Sequence, residues 1–215
     1  MTTGTAADPG PAPASAPPSL RDLKKEQTRV RLHTAAVLLA LDKGVHEVTV
    51  EEVAAAAGVS PRTFFNYYAT KEDALVGADP SRTELLRDAV LARPADEPPA
   101  VALRATLTEH VLGLEKDPEL WRMRRELALR SPELAARIAG AGDRLESALV
   151  EAVYTRTGTD PATDLATGLT ARTAMAALRA AFHQHRVAGF SGSLLDRLDA
   201  AFDAAGLAPA PDSSG

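Results

Sequence analysis

The chain has 215 residues, a formal net charge of −5 at pH 7 and no cysteine. The lack of cysteine excludes disulfides, thiol nucleophiles and thiolate-bound metals, and fits a reducing compartment. No apolar run approaches the roughly 20 residues of a membrane span and the N-terminus lacks an apolar signal core, so a cytoplasmic protein without membrane partners is expected.

Residues 1–19 are rich in Pro, Ala, Gly and Ser with almost no charge; such a segment cannot bury a core and is expected to be a disordered tail. A helix is expected from about 21 to 43, with Val30, Thr34, Val37, Leu38 and Leu41 on its buried side and an end near Gly44. Its first turns hold Arg21, Lys24, Lys25, Arg29 and Arg31 against Asp22 and Glu26, a local charge of +3. Such a run serves either as a solvated helix start or as a phosphate-binding patch. The negative net charge does not exclude the second role, because fields are screened over about 8–10 Å.

The stretch Thr49–Leu75, TVEEVAAAAGVSPRTFFNYYATKEDAL, is the most informative in the chain. Thr49 and Glu52 have capping-box spacing. Val50, Val53, Ala54 and Ala57 share one helical face, and the run of four alanines allows another helix to approach closely. Gly58 suits the left-handed residue that ends a helix, and Ser60-Pro61 is an N-cap followed by a first-turn proline. A stop, a three-residue turn and a start therefore coincide. An ordinary helical hairpin uses the same punctuation, but a helix-turn-helix also needs DNA-reading groups after the turn. Arg62, Thr63, Asn66, Tyr67 and Lys71 supply them. Arg62 suits guanine, Asn66 adenine or a phosphate, Thr63 and Tyr67 a phosphate or a thymine methyl, and Lys71 the backbone charge. Phe64 and Tyr68, four residues apart, suit anchoring to the core.

The run GVSPRTFFNYYATKEDAL resembles the recognition-helix signature of the tetracycline-repressor (TetR) family of bacterial transcription regulators. Thr28-Arg29-Val30, Ala35-Ala36, Gly44 and Thr49-Val50 stand at that family's spacing in the preceding helices, so the similarity covers residues 24–75. It implies DNA contacts from Thr49, Ser60, Arg62, Thr63, Asn66, Tyr67 and Lys71, with Pro61, Phe65 and Arg29 as further candidates on the same surface. At Phe65 many members carry a tyrosine whose hydroxyl touches a phosphate; here only the ring is left.

The remaining chain reads as helix throughout, punctuated by proline and glycine. A fourth helix starts at Lys71. Further helices are expected from Ser81 to about Arg93, from about 100 to 116, from Glu119 to Arg130, from Ser131-Pro132 to about Thr157, from Asp160-Pro161 to about Val187, and after Ser193 to near Gly206. Gly140 and Gly142 are candidate bends. The expected fold is all-α, with a tail at 1–19, a DNA-binding domain at 20–70, a helical sensing and dimerisation domain at 71–207, and a second disordered tail at 208–215.

The last two helices carry Met175, Leu178 and Phe182, then Leu194, Leu198 and Phe202, at helical spacing. They suit packing within one subunit or a helical dimer seam. The resemblance favours the homodimer, because such regulators usually pair through their final helices. A dimer also fits a palindromic operator whose half-sites lie about 34–36 Å apart. In the middle helices Leu103, Leu107, Val111, Leu114, Trp121, Leu127, Leu134, Ile138, Leu145 and Leu149 are candidates to line an effector cavity, although any one of them serves equally as plain core. Trp121-Arg122-Met123-Arg124-Arg125 with Ser131-Pro132-Glu133-Leu134 is similar to a subgroup described as binding acyl-CoA-like ligands. That similarity implies arginines, Arg125 among them, facing a ligand; pairing of those arginines with Glu119, Glu126 and Glu133 is the alternative.

An enzyme is not expected. His33, His46, His110, His183 and His185 lack metal-ligand spacing, and there is no phosphate loop or nucleophile elbow. No cofactor or metal is implied. An architectural DNA-binding protein would share the first 75 residues but would not need the apolar helices that follow.

Overall fold

The computed structural model describes residues 19–114 and 117–207. Both expected tails, apart from Ser19, lie outside them. Among the described residues the fold is all-α, in the order α1 (Leu20–Lys43), α2 (Val50–Ala56), α3 (Pro61–Phe65), α4 (Lys71–Val76), α5 (Pro80–Ala92), α6 (Pro99–Leu114), α7 (Pro118–Arg130), α8 (Pro132–Thr157), α9 (Leu165–Val187) and α10 (Leu194–Ala204).

The helix ends follow side-chain chemistry. The Thr49–Glu52 capping box opens α2, and Ser60 accepts a hydrogen bond from the Thr63 amide to open α3. Thr70, Asp117 and Ser131 cap α4, α7 and α8 in the same way. Two caps differ from the sequence reading. Asp79, not Ser81, caps α5, its carboxylate accepting from the Ser81 amide at 3.0 Å. Helix α9 starts at Leu165 under an Asp164 cap, not at Asp160-Pro161. Asp160 instead closes a turn by accepting the amides of Thr163 and Asp164 through its carbonyl. Asp164 outcompetes it because its carboxylate takes both the amide (3.1 Å) and the hydroxyl (2.7 Å) of Thr167. Helix α8 runs unbroken through Gly140 and Gly142.

Two hydrophobic cores form. The first gathers Leu32, Ala36, Val37, Val53, Ala54, Phe64, Tyr68 and Leu75 from α1 to α4, and adds Leu120, Leu127 and Leu134 from α7 and α8. Val30 and Leu38 are exposed, so the buried face of α1 is rotated from the expected one. It includes the alanines at 35, 36 and 40 because α2, α4 and α7 all press against it. The second core spans α5 to α10. Ala74, Leu75 and Val76, beyond the expected boundary at 70, are buried in the first core, which also takes residues from α7 and α8, so the packing does not divide at one point of the chain.

Helices α8 and α9 cross where α9 has a glycine. A Cβ on Gly168 would sit 2.4 Å from the Tyr154 hydroxyl, which is held by donating to Asp164 O at 2.7 Å. Gly168→Ala should therefore lower stability by roughly 1–3 kcal/mol, measured by urea unfolding. Adding Tyr154→Phe should recover part of that loss; strictly additive losses would contradict the contact.

Candidate functional site

The first candidate surface lies on α1 and α3. Phe64 and Tyr68 are buried and fix the roll of α3, as the four-residue spacing indicated. The opposite face carries Pro61, Arg62, Phe65 and Asn66 exposed, with Thr63 and Tyr67 half-buried at its edge. Phe65 keeps 57% of its surface exposed, with its ring edge-on to Phe64. Ser60 Oγ is 2.9 Å from Thr63 Oγ1, so the two hydroxyls are oriented by each other. Arg21, Lys24, Lys25 and Thr28 of α1 form an open groove with Thr63, Asn66 and Tyr67. The basic run at the start of α1 is thus beside the exposed face of α3, where a phosphate backbone would pass.

Three other residues assigned to DNA from the sequence have internal duties. Thr49 exchanges hydrogen bonds with Glu52, which also pairs with Lys43; these partners hold the Glu52 carboxyl down to about 2. Lys71 donates to His46 O at 2.9 Å and Val48 O at 2.8 Å, tying α4 to the α1–α2 loop. Arg29 keeps only 12% of its side-chain surface, pairs with Asp79 at 3.1 Å and lies against the Tyr68 ring. This differs from the phosphate contact expected for Arg29. Facing inward on α1, its guanidinium joins α1 to the start of α5.

The second candidate site is a cavity of about 530 Å³ bounded by the end of α4 and by α5 to α9. Of the residues expected to line it, Leu114, Trp121, Arg125, Ile138 and Leu145 do so, while Leu103 and Leu149 are buried in the second core and Leu134 in the first. Leu107 and Val111 are buried in the second core and Leu127 in the first, as α6 and α7 present those faces to neighbouring helices. Met175, Leu178 and Phe182, read as a dimer seam, also line the cavity. Leu194, Leu198 and Phe202 are buried in the same chain's core. The six therefore belong to packing within one subunit, because α9 and α10 turn these faces inward. Arg104 holds α10 in place by pairing with Asp199 and Asp203 while lying over the Phe202 ring.

Aromatic groups close one end of the cavity. Trp121 stacks on Phe182 at 5.7 Å, and Phe190 meets Trp121 edge-on at 5.4 Å. Phe190 holds φ +61°, the only positive value for a non-glycine among the described residues; such a backbone costs about 1–2 kcal/mol. The Arg125 guanidinium lies 5.3 Å from the Trp121 ring and 4.9 Å from the Phe182 ring. Arg122, by contrast, turns outward to Glu119 and Glu126, as the paired-arginine alternative requires.

The two sites meet at the end of α4. Gly77 ends the helix at φ +63°, with the His33 ring packed where a Cβ would be. His33 Nδ1 lies 2.7 Å from Ala74 O and must carry the proton, since a carbonyl only accepts. Arg124 Nη1 donates to Val76 O at 2.9 Å. Burial, then the nearby Arg124, lowers the His33 pKa to about 4; burial, then Arg82, does the same for His110 on the cavity wall. Neither histidine had a sequence signal, because each acquires its environment from distant helices.

A helix-turn-helix with a basic flank, coupled to a second helical domain that encloses its own cavity, defines a DNA-binding regulator. Residues 32–76 match the family model described as bacterial regulatory proteins, tetR family, and residues 97–207 match that described as the MftR C-terminal domain. The chain belongs to the TetR family and is a transcriptional regulator, not an enzyme. It is 33% identical over 150 residues to the HTH-type transcriptional regulator TcmR of Streptomyces glaucescens, a match spanning 66% of either chain, just under two thirds of the relative's length. Among solved structures it is similar to the fatty acid degradation regulator FadR of Bacillus halodurans, with 19% identity, TM-score 0.55, and 83% of this chain and 94% of that one covered. It is also similar to SmeT, the repressor of the Stenotrophomonas maltophilia multidrug efflux pump SmeDEF, with 21% identity, TM-score 0.53, and 87% and 94% covered. At these identities the structural likeness shows the fold alone.

The buried histidines set a pH dependence. Above pH 6.5 both folded and unfolded chains leave them neutral. Between 6.5 and about 4 only the unfolded chain takes up the protons, so stability falls as pH falls. Each contributes up to roughly 2–3 kcal/mol of that loss. Melting curves at pH 7 and pH 5 should show a smaller drop for His33→Gln/His110→Gln than for wild type; equal drops would contradict the assignment.

Proposed function

We propose that the protein is a ligand-responsive repressor that binds a palindromic DNA operator as a homodimer and is released by a small apolar or amphipathic effector. The observation that carries this reading is the sharing of α4: its start follows the DNA-reading turn, and its end forms part of the cavity wall. An architectural DNA-binding protein has no use for such a cavity. An effector that binds the DNA-incompetent arrangement more tightly would weaken operator binding, and operator DNA would weaken effector binding by the same factor. An acyl-CoA-like effector retains Arg124 and Arg125 facing the cavity but loses Arg122. Repressors act on DNA where it is transcribed, and among the described residues no helix is long and apolar enough to cross a membrane; a cytoplasmic location follows from this reading.

Operator contacts are assigned to Arg62, Thr63, Asn66 and Tyr67, with Ser60, Pro61 and Phe65 on the same face and phosphates held by Arg21, Lys24 and Lys25. Thr49, Lys71 and Arg29 hold that surface in shape, with Thr49 and Lys71 also at its rim. The DNA-binding unit extends from about 20 to 76, and the sensing unit from there to 207. For the dimer seam we assign the outward face of α9. Leu165, Leu169 and Val187 are exposed there, with Ala176 and Ala180 between them. Small residues between larger ones allow a partner helix to approach closely.

Two measurements test these assignments. In band-shift titrations on DNA upstream of the gene, Arg62→Ala should weaken binding by about tenfold or more, and Lys24→Ala should reduce the salt slope by about one. Unchanged binding in both variants would contradict the interface. In sedimentation velocity, Leu169→Glu should give monomers with lost operator affinity; a persisting dimer would move the seam elsewhere.

A further inference from the structure

One helix brings several polar groups to the cavity lining. Helix α7 presents Trp121, Arg124 and Arg125 to it. Trp121 is only 8% exposed, and its Nε1, with the Nε atoms of Arg124 and Arg125, is buried without a hydrogen-bond partner among the described residues. All three atoms donate and none accepts. A buried donor left unpaired is costly, so these three call for acceptors that the described residues do not bring. Further charge on the lining is positive on balance. Arg82, Arg179 and Arg186 stand against Asp79 and Asp143. Asp79 is taken by Arg29, and Arg179 by Glu146 at 2.7 Å. The lining also includes the apolar Leu86, Ile138, Leu145, Met175 and Leu178.

At the roughly 30 Å³ that a water occupies in the liquid, the cavity holds on the order of 20 water-sized groups. We propose that it takes an amphipathic organic anion of about 20 heavy atoms, its head on the orphaned donors of Trp121, Arg124 and Arg125 and its apolar body among Leu86, Leu145 and Met175. The inference rests on the effector reading above and adds the chemical class of the effector. It also gives Arg124 a second role. Its Nη1 donates to Val76 O at the end of α4 while its Nε is buried without a hydrogen-bond partner among the described residues. A bond from a guanidinium to an anion is stronger than one to a neutral carbonyl. An anionic head therefore draws Arg124 off Val76 and frees the end of α4, which makes head recognition and DNA release one event.

Two fluorescent probes differ in the required feature: 8-anilinonaphthalene-1-sulfonate, and N-phenyl-1-naphthylamine, the same rings without the sulfonate. Trp121 is the only tryptophan in the chain, so energy transfer from it reports binding in the cavity of the full-length protein. The sulfonate should bind roughly tenfold to a hundredfold more tightly than the neutral probe. Arg125→Gln should remove most of that preference while retaining the neutral probe. In band shifts the sulfonate should release operator from wild type, whereas Arg124→Gln, which lacks the guanidinium that holds Val76 O, should bind operator weakly with or without the sulfonate; wild-type operator affinity in Arg124→Gln would overturn this second role. Should Arg125→Gln lose both probes, the preference measured in Arg124→Gln decides, its loss supporting the proposal and its retention overturning it. Equal affinity for the two probes in wild type overturns the anion proposal. If both probes then release DNA equally, the effector reading stands without it. If neither probe quenches Trp121 or affects operator binding, the effector reading fails as well.

Discussion

A six-residue helix cannot hold its own position, and the arrangement of this protein depends on what secures the end of α4. The turn after it supplies the Gly77 and Ala78 amides to Ala74 O and Asp73 O, and side chains from two other helices reinforce that end in the buried junction between the two cores. His33 from α1 takes the Ala74 carbonyl and Arg124 from α7 takes that of Val76, while Gly77 in the left-handed region lets the chain turn away beneath the His33 ring. One of these bonds comes from the DNA-binding unit and the other from the cavity wall. Arg137 of α8 adds an ion pair to Asp73 at 2.9 Å. The recognition helix thus inherits its placement from groups in both halves of the molecule.

This division of labour explains why several cations beside the DNA-reading face are not free to read DNA. Arg29 and Lys71 are spent on Asp79 and on two loop carbonyls, and Lys43 on Glu52. They fix α1, α2 and α4 around the turn, so that the exposed Arg62 and Asn66 project from a rigid surface. Rigid placement matters because base readout depends on paired hydrogen bonds whose geometry tolerates little movement. In the proposed operator complex the phosphates fall to the cations at the start of α1, outside the packed junction.

The local chemistry of this fold was legible in the sequence. The caps at Thr49 and Ser60, the αL residue at Gly58 and the anchoring pair Phe64 and Tyr68 all depend on neighbours a few residues away, and each forms as its residues indicate. What was not legible depends on rotation and on distant partners. Helical spacing shows that Met175, Leu178 and Phe182 share a face, but whether that face meets a cavity, a core or a second subunit is decided by where α7 and α8 fall. Likewise, nothing near Arg29 in sequence foretells Asp79, and nothing near Arg124 foretells Val76. Competition between two plausible caps, Asp160 and Asp164, was settled by the Thr167 hydroxyl, a contact that spacing alone does not rank.

In the proposed dimer, the end of α4 transmits occupancy of the cavity to the separation of the two recognition helices. Because the chain has no cysteine, Ala55→Cys on the exposed side of α2 offers a single spin-label site in each subunit of a dimer. Double electron–electron resonance should give one label–label distance for the free dimer that matches the operator-bound one. With 8-anilinonaphthalene-1-sulfonate added, that distance should shift or broaden in wild type, and Arg124→Gln, without the bond to Val76 O, should show the shifted or broadened distance before any probe is added. An unchanged distance in wild type under conditions where the probe releases DNA would contradict transmission through α4.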